Sequence, residues 1–204
     1  VLTTTNSVIS FSSTIDSDST DRNLSLATGS GNISVTGAIG SSNNINVLTV
    51  NNTGTFTASS SVDATTMTLT HTGGTTVGGT VTSTTINLTD TTDAASITFN
   101  DNVIATTLNT EAEAYNVVFS GDTSTITDAV TFSNSGLVNF GSKTSGSITF
   151  AGGVTAIAPS QVQLIGTIKT TNTTMTLGDA NTPVVLLGDT TLSGNMTGDI
   201  VLDG

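Results

Sequence analysis

His71 is the single histidine among 204 residues, so any Ser-His-Asp hydrolytic arrangement must use it. It lies between Thr70 and Thr72, beside Gly73-Gly74, and the chain has no Gly-x-Ser-x-Gly elbow. That setting predicts an exposed turn residue. Asp16, Asp18 and Asp21 form an acidic turn whose alternating carboxylates resemble the start of a calcium loop, because Ca²⁺ takes oxygen ligands. The glycine and distal glutamate of a hand-type loop are missing. The expectation is an exposed acidic loop, with calcium the one cofactor these residues admit. Glu111 and Glu113 stand two apart beside Tyr115, the one place where carboxylates and an aromatic converge. Glycoside hydrolysis needs paired carboxylates at set separations. A polysaccharide lyase needs a cation near its carboxylates, and Arg22, Lys143 and Lys169 are far apart in the sequence. Gly73-Gly74 and Gly78-Gly79 are followed by neither a lysine nor a helix, so they read as turns rather than a phosphate cradle.

Other patterns follow from composition. Six Asn-x-Ser/Thr sequons begin at Asn23, Asn32, Asn51, Asn87, Asn172 and Asn195, about the number that chance supplies in a chain so rich in Ser and Thr. Thr-x-Thr runs at Thr53–Thr57, Thr66–Thr72 and Thr123–Thr127 suggest an ice-binding face only as an alternative.

Thr (46), Ser (25), Asn (18) and Gly (21) make up more than half of the chain. There is no Cys, and 15 acidic residues against 3 basic give a net charge of −12. Disulfide scaffolds and Cys-ligated zinc are excluded. So is nucleic-acid binding, which needs cations to neutralise phosphate. The longest uninterrupted apolar run found, Val184-Val185-Leu186-Leu187, is far short of a membrane span. The absence of thiols favours an exported protein.

The elements that must position these groups are strands. Apolar residues recur in pairs around one polar residue: Leu24 and Leu26, Ile33 and Val35, Met67 and Leu69, Ile97 and Phe99, Ile148 and Phe150, Met175 and Leu177. This period of two marks a strand with one buried face, and Thr between the pairs suits an exposed pleat. Turn residues such as Gly29-Ser30-Gly31-Asn32 and Ser120-Gly121-Asp122 separate the pairs. The best helical candidate, Thr110 to Tyr115, makes a turn and a half at most. The chain reads as all-β.

Leu69, Leu88, Phe99, Phe119, Phe132, Phe150 and Leu164 recur at alternating long and short gaps, with Phe140 inside one long gap as an intermediate strand and Leu177 ending a later apolar pair. A repeat of roughly 31 residues or a looser coil of roughly 20 both fit, and either marks a solenoid. The expectation is one segment over residues 1–204, a parallel β-solenoid cut from a longer repetitive chain, with these nine side chains in its core.

Gly146-Ser147-Ile148-Thr149-Phe150-Ala151-Gly152-Gly153-Val154, Asp128-Ala129-Val130-Thr131-Phe132-Ser133-Asn134 and Asp189-Thr190-Thr191-Leu192-Ser193-Gly194-Asn195 resemble the repeat regions of large secreted bacterial surface proteins. These are autotransporter passengers, filamentous-haemagglutinin-like adhesins, and surface-layer and filament proteins. The resemblance implies a right-handed parallel β-helix, export and a surface role, and carries over no catalytic residue. The expected function is therefore a non-catalytic structural or adhesive module at the cell surface. It would associate end to end or with further repeats, and glycans or proteins of a host or neighbouring cell are the partners this role admits. A glycan-binding β-helix is one alternative. Another is a β-sandwich subunit that polymerises by strand donation, with antiparallel strands and a free segment at Val1 to Phe11.

Overall fold

In the computed structural model, which describes residues 1–195 and 197–203, the chain winds into a parallel β-solenoid of about 9 turns. No helix occurs among the described residues. Each full coil lays down three inward-facing stretches, which stack into three faces.

The first face is built by short strands: β2 (Ile9–Phe11), β4 (Ile33–Val35), β6 (Phe56–Ala58), β8 (Thr75–Val77), β10 (Ser96–Phe99), β12 (Asn116–Phe119) and β15 (Val138–Phe140). Long strands carry the chain around the second corner onto the third face: β3 (Arg22–Gly29), β5 (Ile45–Asn52), β7 (Val62–Thr70), β9 (Val81–Leu88) and β11 (Val103–Thr110). Later coils divide differently. β13 (Thr123–Ile126) and β16 (Ser147–Phe150) lie on the second face. β18 (Val162–Thr170) and β20 (Val184–Ser193) run from the first face to the second. The third face holds β1 (Leu2–Thr3) at one end and β14 (Val130–Thr131), β17 (Val154–Ala156), β19 (Met175–Leu177) and β21 (Ile200–Leu202) at the other. Those last four form a sheet of their own, whereas the other seventeen strands belong to one sheet.

The strand ladders are parallel, as in Ile97↔Val117↔Val138 and Val62↔Val81↔Val103. Leu2–Thr3 and Ile9–Phe11 pair in parallel with the next coil, so Val1 to Phe11 is no free donor strand. A strand-donating antiparallel sandwich is therefore ruled out. Val62 pairs with Val81 and Met175 with Ile200, so a coil takes 19 to 25 residues, the shorter of the two expected repeats. The apparent period near 31 has a plain origin. Phe99, Phe119, Phe140 and Leu164 stack on the first face, Phe150 lies on the second, and Leu69, Leu88, Phe132 and Leu177 lie on the third. The alternating gaps are steps between faces.

Length varies at the corners. Ile39 pairs with Val62 and Ile45 with Ala64, so the five residues Gly40–Asn44 stand opposite the single Asp63 of the next coil and bulge outward. The acidic turn at 16–21 is the equivalent bulge one coil earlier, between Ile15, paired with Ile39, and Arg22, paired with Ile45.

All nine expected core residues are buried, within a single apolar cluster running from Ile9 to Leu177. Phe99 stacks on Phe119 with ring centroids 5.5 Å apart. Phe119, Phe132, Phe140 and Phe150 then meet from three faces at 5.1–6.5 Å, mostly edge-on or tilted, as ring quadrupoles favour. Small residues elsewhere keep each layer filled. Ala105 shares the coil of Phe99, and Ala156 follows Phe140 and Phe150.

A polar column lines the inside of the third corner. Thr28, Asn52, Thr72, Thr91, Asn134 and Thr182 are buried there. Thr28 Oγ1 donates to Gly31 O, Asn52 Nδ2 to Gly54 O at 2.7 Å, Asn134 Nδ2 to Tyr115 O at 2.9 Å, and Thr182 Oγ1 to Pro159 O at 2.7 Å. A tight corner frees carbonyls from the ladder, and these side chains satisfy them.

Candidate functional site

The strands β7, β9 and β11 share a local motif: Ala64-Thr65-Thr66-Met67, Ser83-Thr84-Thr85-Ile86 and Ala105-Thr106-Thr107-Leu108. Ala64, Ser83 and Ala105 are small and point inward, where the chain bends at the second corner. Two threonines then face outward in succession before Met67, Ile86 and Leu108 return to the core. Thr66, Thr85 and Thr107 stack in register. Ser83 Oγ donates to Ala64 O at 2.7 Å and ties adjacent coils. The bend leaves a shallow groove of about 420 Å³ lined by Asn44, Thr65, Thr84, Thr106, Thr127 and Ile104, with no ionisable group.

On the third face the same strands present Thr68, Asn87 and Asn109 as one outward column. Asn109 Nδ2 donates to Asn87 Oδ1 at 2.8 Å, and Asn87 Nδ2 donates to Thr68 Oγ1 at 3.3 Å. The ladder then stops, because β11 has no strand pairing with β14 and the separate four-stranded sheet begins there. Thr110 bridges the break. Its Oγ1 donates to Thr131 O at 3.2 Å and accepts from Ser133 N–H at 2.8 Å. A second groove of about 570 Å³ lies over this break, walled by Asn87, Asn109, Thr131 and Ser133, with Glu111 its one ionisable group.

The cluster proposed around Tyr115 does not form. Tyr115 is fully buried, its OH donates to Leu88 O at 2.7 Å, and it accepts from Glu111 N–H at 3.0 Å. Burial pushes its phenol well above the usual tyrosine range. The ring fills the corner and offers no platform to a sugar. Residues 110–115 are not helical either. Glu113 N–H donates to Glu111 O and Tyr115 N–H to Glu113 O, two-residue steps that no α-helix makes.

The acidic turn is held by protein groups. Asp18 takes a bidentate pair from Arg22, at 2.8 and 3.1 Å, and Asp16 Oδ1 accepts from Ser42 N–H at 2.9 Å. The hydrogen bond from Arg22, then that from Thr20 N–H, holds the Asp18 carboxyl below its ordinary value. A depressed carboxyl contributes stability above its unfolded pKa and loses it as pH falls through the folded value, and the pair's exposure to solvent keeps that contribution slight. Among the described residues no three His, Cys, Asp or Glu side chains gather as a metal ion would require. Lys143 pairs with Asp122, and Lys169 stands on the second face between Thr149 and Ser193.

His71 is an exposed corner residue with φ of +53°. Its Nδ1 lies 2.6 Å from Asp90 Oδ2 on the next coil, above a ledge that also holds Asp93 and Glu113. Of the sequons, Asn32 is occupied by accepting Thr55 N–H, and Asn87 sits in the third-face groove. The middle residue of the one at Asn195, Met196, lies outside the described residues.

The paired-threonine corner and the ladder break were missed from sequence. A signal for the first was present, since Thr-Thr-Met-Thr-Leu occurs at both 65–69 and 173–177, with Met67 and Met175 buried on the same face. Comparison of the chain with protein-family models, with curated proteins and with solved structures gives no match.

Proposed function

We propose that this chain is a structural module, a rod segment of an extracellular bacterial adhesin, filament or surface layer, acting mechanically rather than catalytically. The observation that carries this reading is the stack itself. Nine turns of parallel strands enclose one continuous apolar core, while the outward positions are mostly Thr, Ser and Asn. Burial of apolar surface, worth about 25 cal/mol per Å², supplies the stability, and the neutral polar skin keeps the rod in solution. The residue composition, rich in hydroxyls and free of thiols, suits an oxidising exterior. Immunogold labelling of intact source cells is the test. Surface label without permeabilisation is expected, and label only after permeabilisation overturns the extracellular role.

The rod's neighbours are further coils or further copies. Leu186 and Leu202 are 63% and 51% exposed at one end, and Val8 is 63% exposed at the other. Strand edges of this kind accept another strand. Both end coils are acidic, with Asp16, Asp18 and Asp21 at one and Asp189, Asp199 and Asp203 at the other. Stacking therefore works against charge repulsion, which salt screens over about 10 Å at 0.1 M and about 3 Å at 1 M. Sedimentation velocity is expected to show longer assemblies as salt is raised. A single species at every salt and protein concentration would remove end-to-end association.

A further inference from the structure

We propose that the third-face groove over the ladder break binds an uncharged glycan chain laid along the rod axis. The inference goes beyond the scaffold role and is tested separately from it. The groove is where the third face is interrupted, between β11 and β14. Its volume of about 570 Å³ falls within the range of ligand sites. It crosses the rungs of β7, β9 and β11, two ladder spacings of about 4.8 Å, and runs on over the break to β14, enough for roughly two to three extended sugar rings.

The lining selects the ligand. Primary amides from Asn87 and Asn109, hydroxyls from Thr131 and Ser133, and the Glu111 carboxylate are the groups that bond vicinal diols. Ala129, exposed in the lining, provides an apolar contact for the C–H face of a sugar ring, while Leu88 and Leu108 are buried in the core behind it. The groove holds no cation, and a chain of net charge −12 repels acidic polymers. An added peptide strand is disfavoured because Thr110 already bridges the two strand edges. A flat ice-matching surface is disfavoured, since the site is concave.

Affinity electrophoresis of the full chain in native gels decides the matter, with dextran, laminarin or galactomannan as neutral probes and polygalacturonate as the acidic one. At least one neutral polymer is expected to retard the protein. Thr131→Trp fills the groove, and Asn109→Ala removes an exposed amide. Each is expected to weaken retardation about tenfold, the equivalent of one or two lost hydrogen bonds. Circular-dichroism melts establish that both variants fold, and should Thr131→Trp not fold, Asn109→Ala decides alone. The proposal is overturned if no neutral polymer retards the wild type. Equal retardation of the folded variants, which places binding elsewhere, also overturns it, as does stronger retardation by polygalacturonate.

Discussion

Phe132→Asp is expected to unfold the middle of the rod. The ring is fully buried and meets Phe140 at 5.2 Å, Phe150 at 6.0 Å and Phe119 at 6.3 Å. Truncating a buried Phe costs about 3–5 kcal/mol. A carboxylate in the cavity left behind must lose its water or take up a proton, which adds several kcal/mol more. Together these approach the roughly 5–15 kcal/mol that holds a typical domain folded. A solenoid coil touches mainly its neighbours, so the damage spreads outward from Phe132 rather than everywhere at once. Hydrogen exchange should therefore show lost protection at β12 to β16, with β4 to β7 still protected. A thermal melt superimposable on that of the wild type would mean that Phe132 does not face the core.

Gly40→Ala is expected to cost about 3 kcal/mol or more, large for the gain of one methyl group. Gly40 has φ of +77°, and a Cβ built there would lie 2.0 Å from Asp63 O. That carbonyl belongs to the neighbouring coil's backbone, so no side-chain rotation relieves the contact. Gly40 N–H also donates to Ile15 O at 2.7 Å, while Asp63 N–H donates to Ile39 O at 2.8 Å. A displaced Gly40 thus loosens three consecutive coils where the outward bulge begins. Urea melts of Gly40→Ala and of Ser41→Ala, its exposed neighbour, separate strain from a general intolerance of this loop. The second is expected to lie within about 0.5 kcal/mol of wild type. Equal midpoints for the two variants would contradict the backbone geometry at Gly40.

Most of the architecture could be read in advance because it depends on a pattern that survives compositional bias. Pairs such as Ile97 and Phe99 point inward whatever lies around them, and period-two burial needs only alternation. Which face each pair occupies depends on corner lengths, and those follow no fixed count, so the anchors form one series along the sequence but three columns in the fold. The site was less legible. Tyr115 sits among charged and small residues, which suggests a protrusion, yet its ring is needed to fill a corner and its hydroxyl to satisfy Leu88 O. Asn52 and Asn134 are chemically indistinguishable in sequence from the exposed asparagines around them, and only the corner carbonyls they serve bring them inside. Arg22 lies four residues from Asp18, and the bulged turn between them lets the guanidinium fold back onto that carboxylate, a pairing that spacing alone does not announce.

The division of labour between faces and corners has a consequence for how such a chain can change over generations. Register is kept by three short stretches per coil, while the residues added between Ile39 and Ile45 leave the pairing on either side intact. A gene encoding this rod can therefore gain or lose whole windings by unequal recombination, or take up foreign segments at its bends, without reopening the interior. Its length is free to drift under selection for reach, while its girth stays fixed by the side chains that fill each layer.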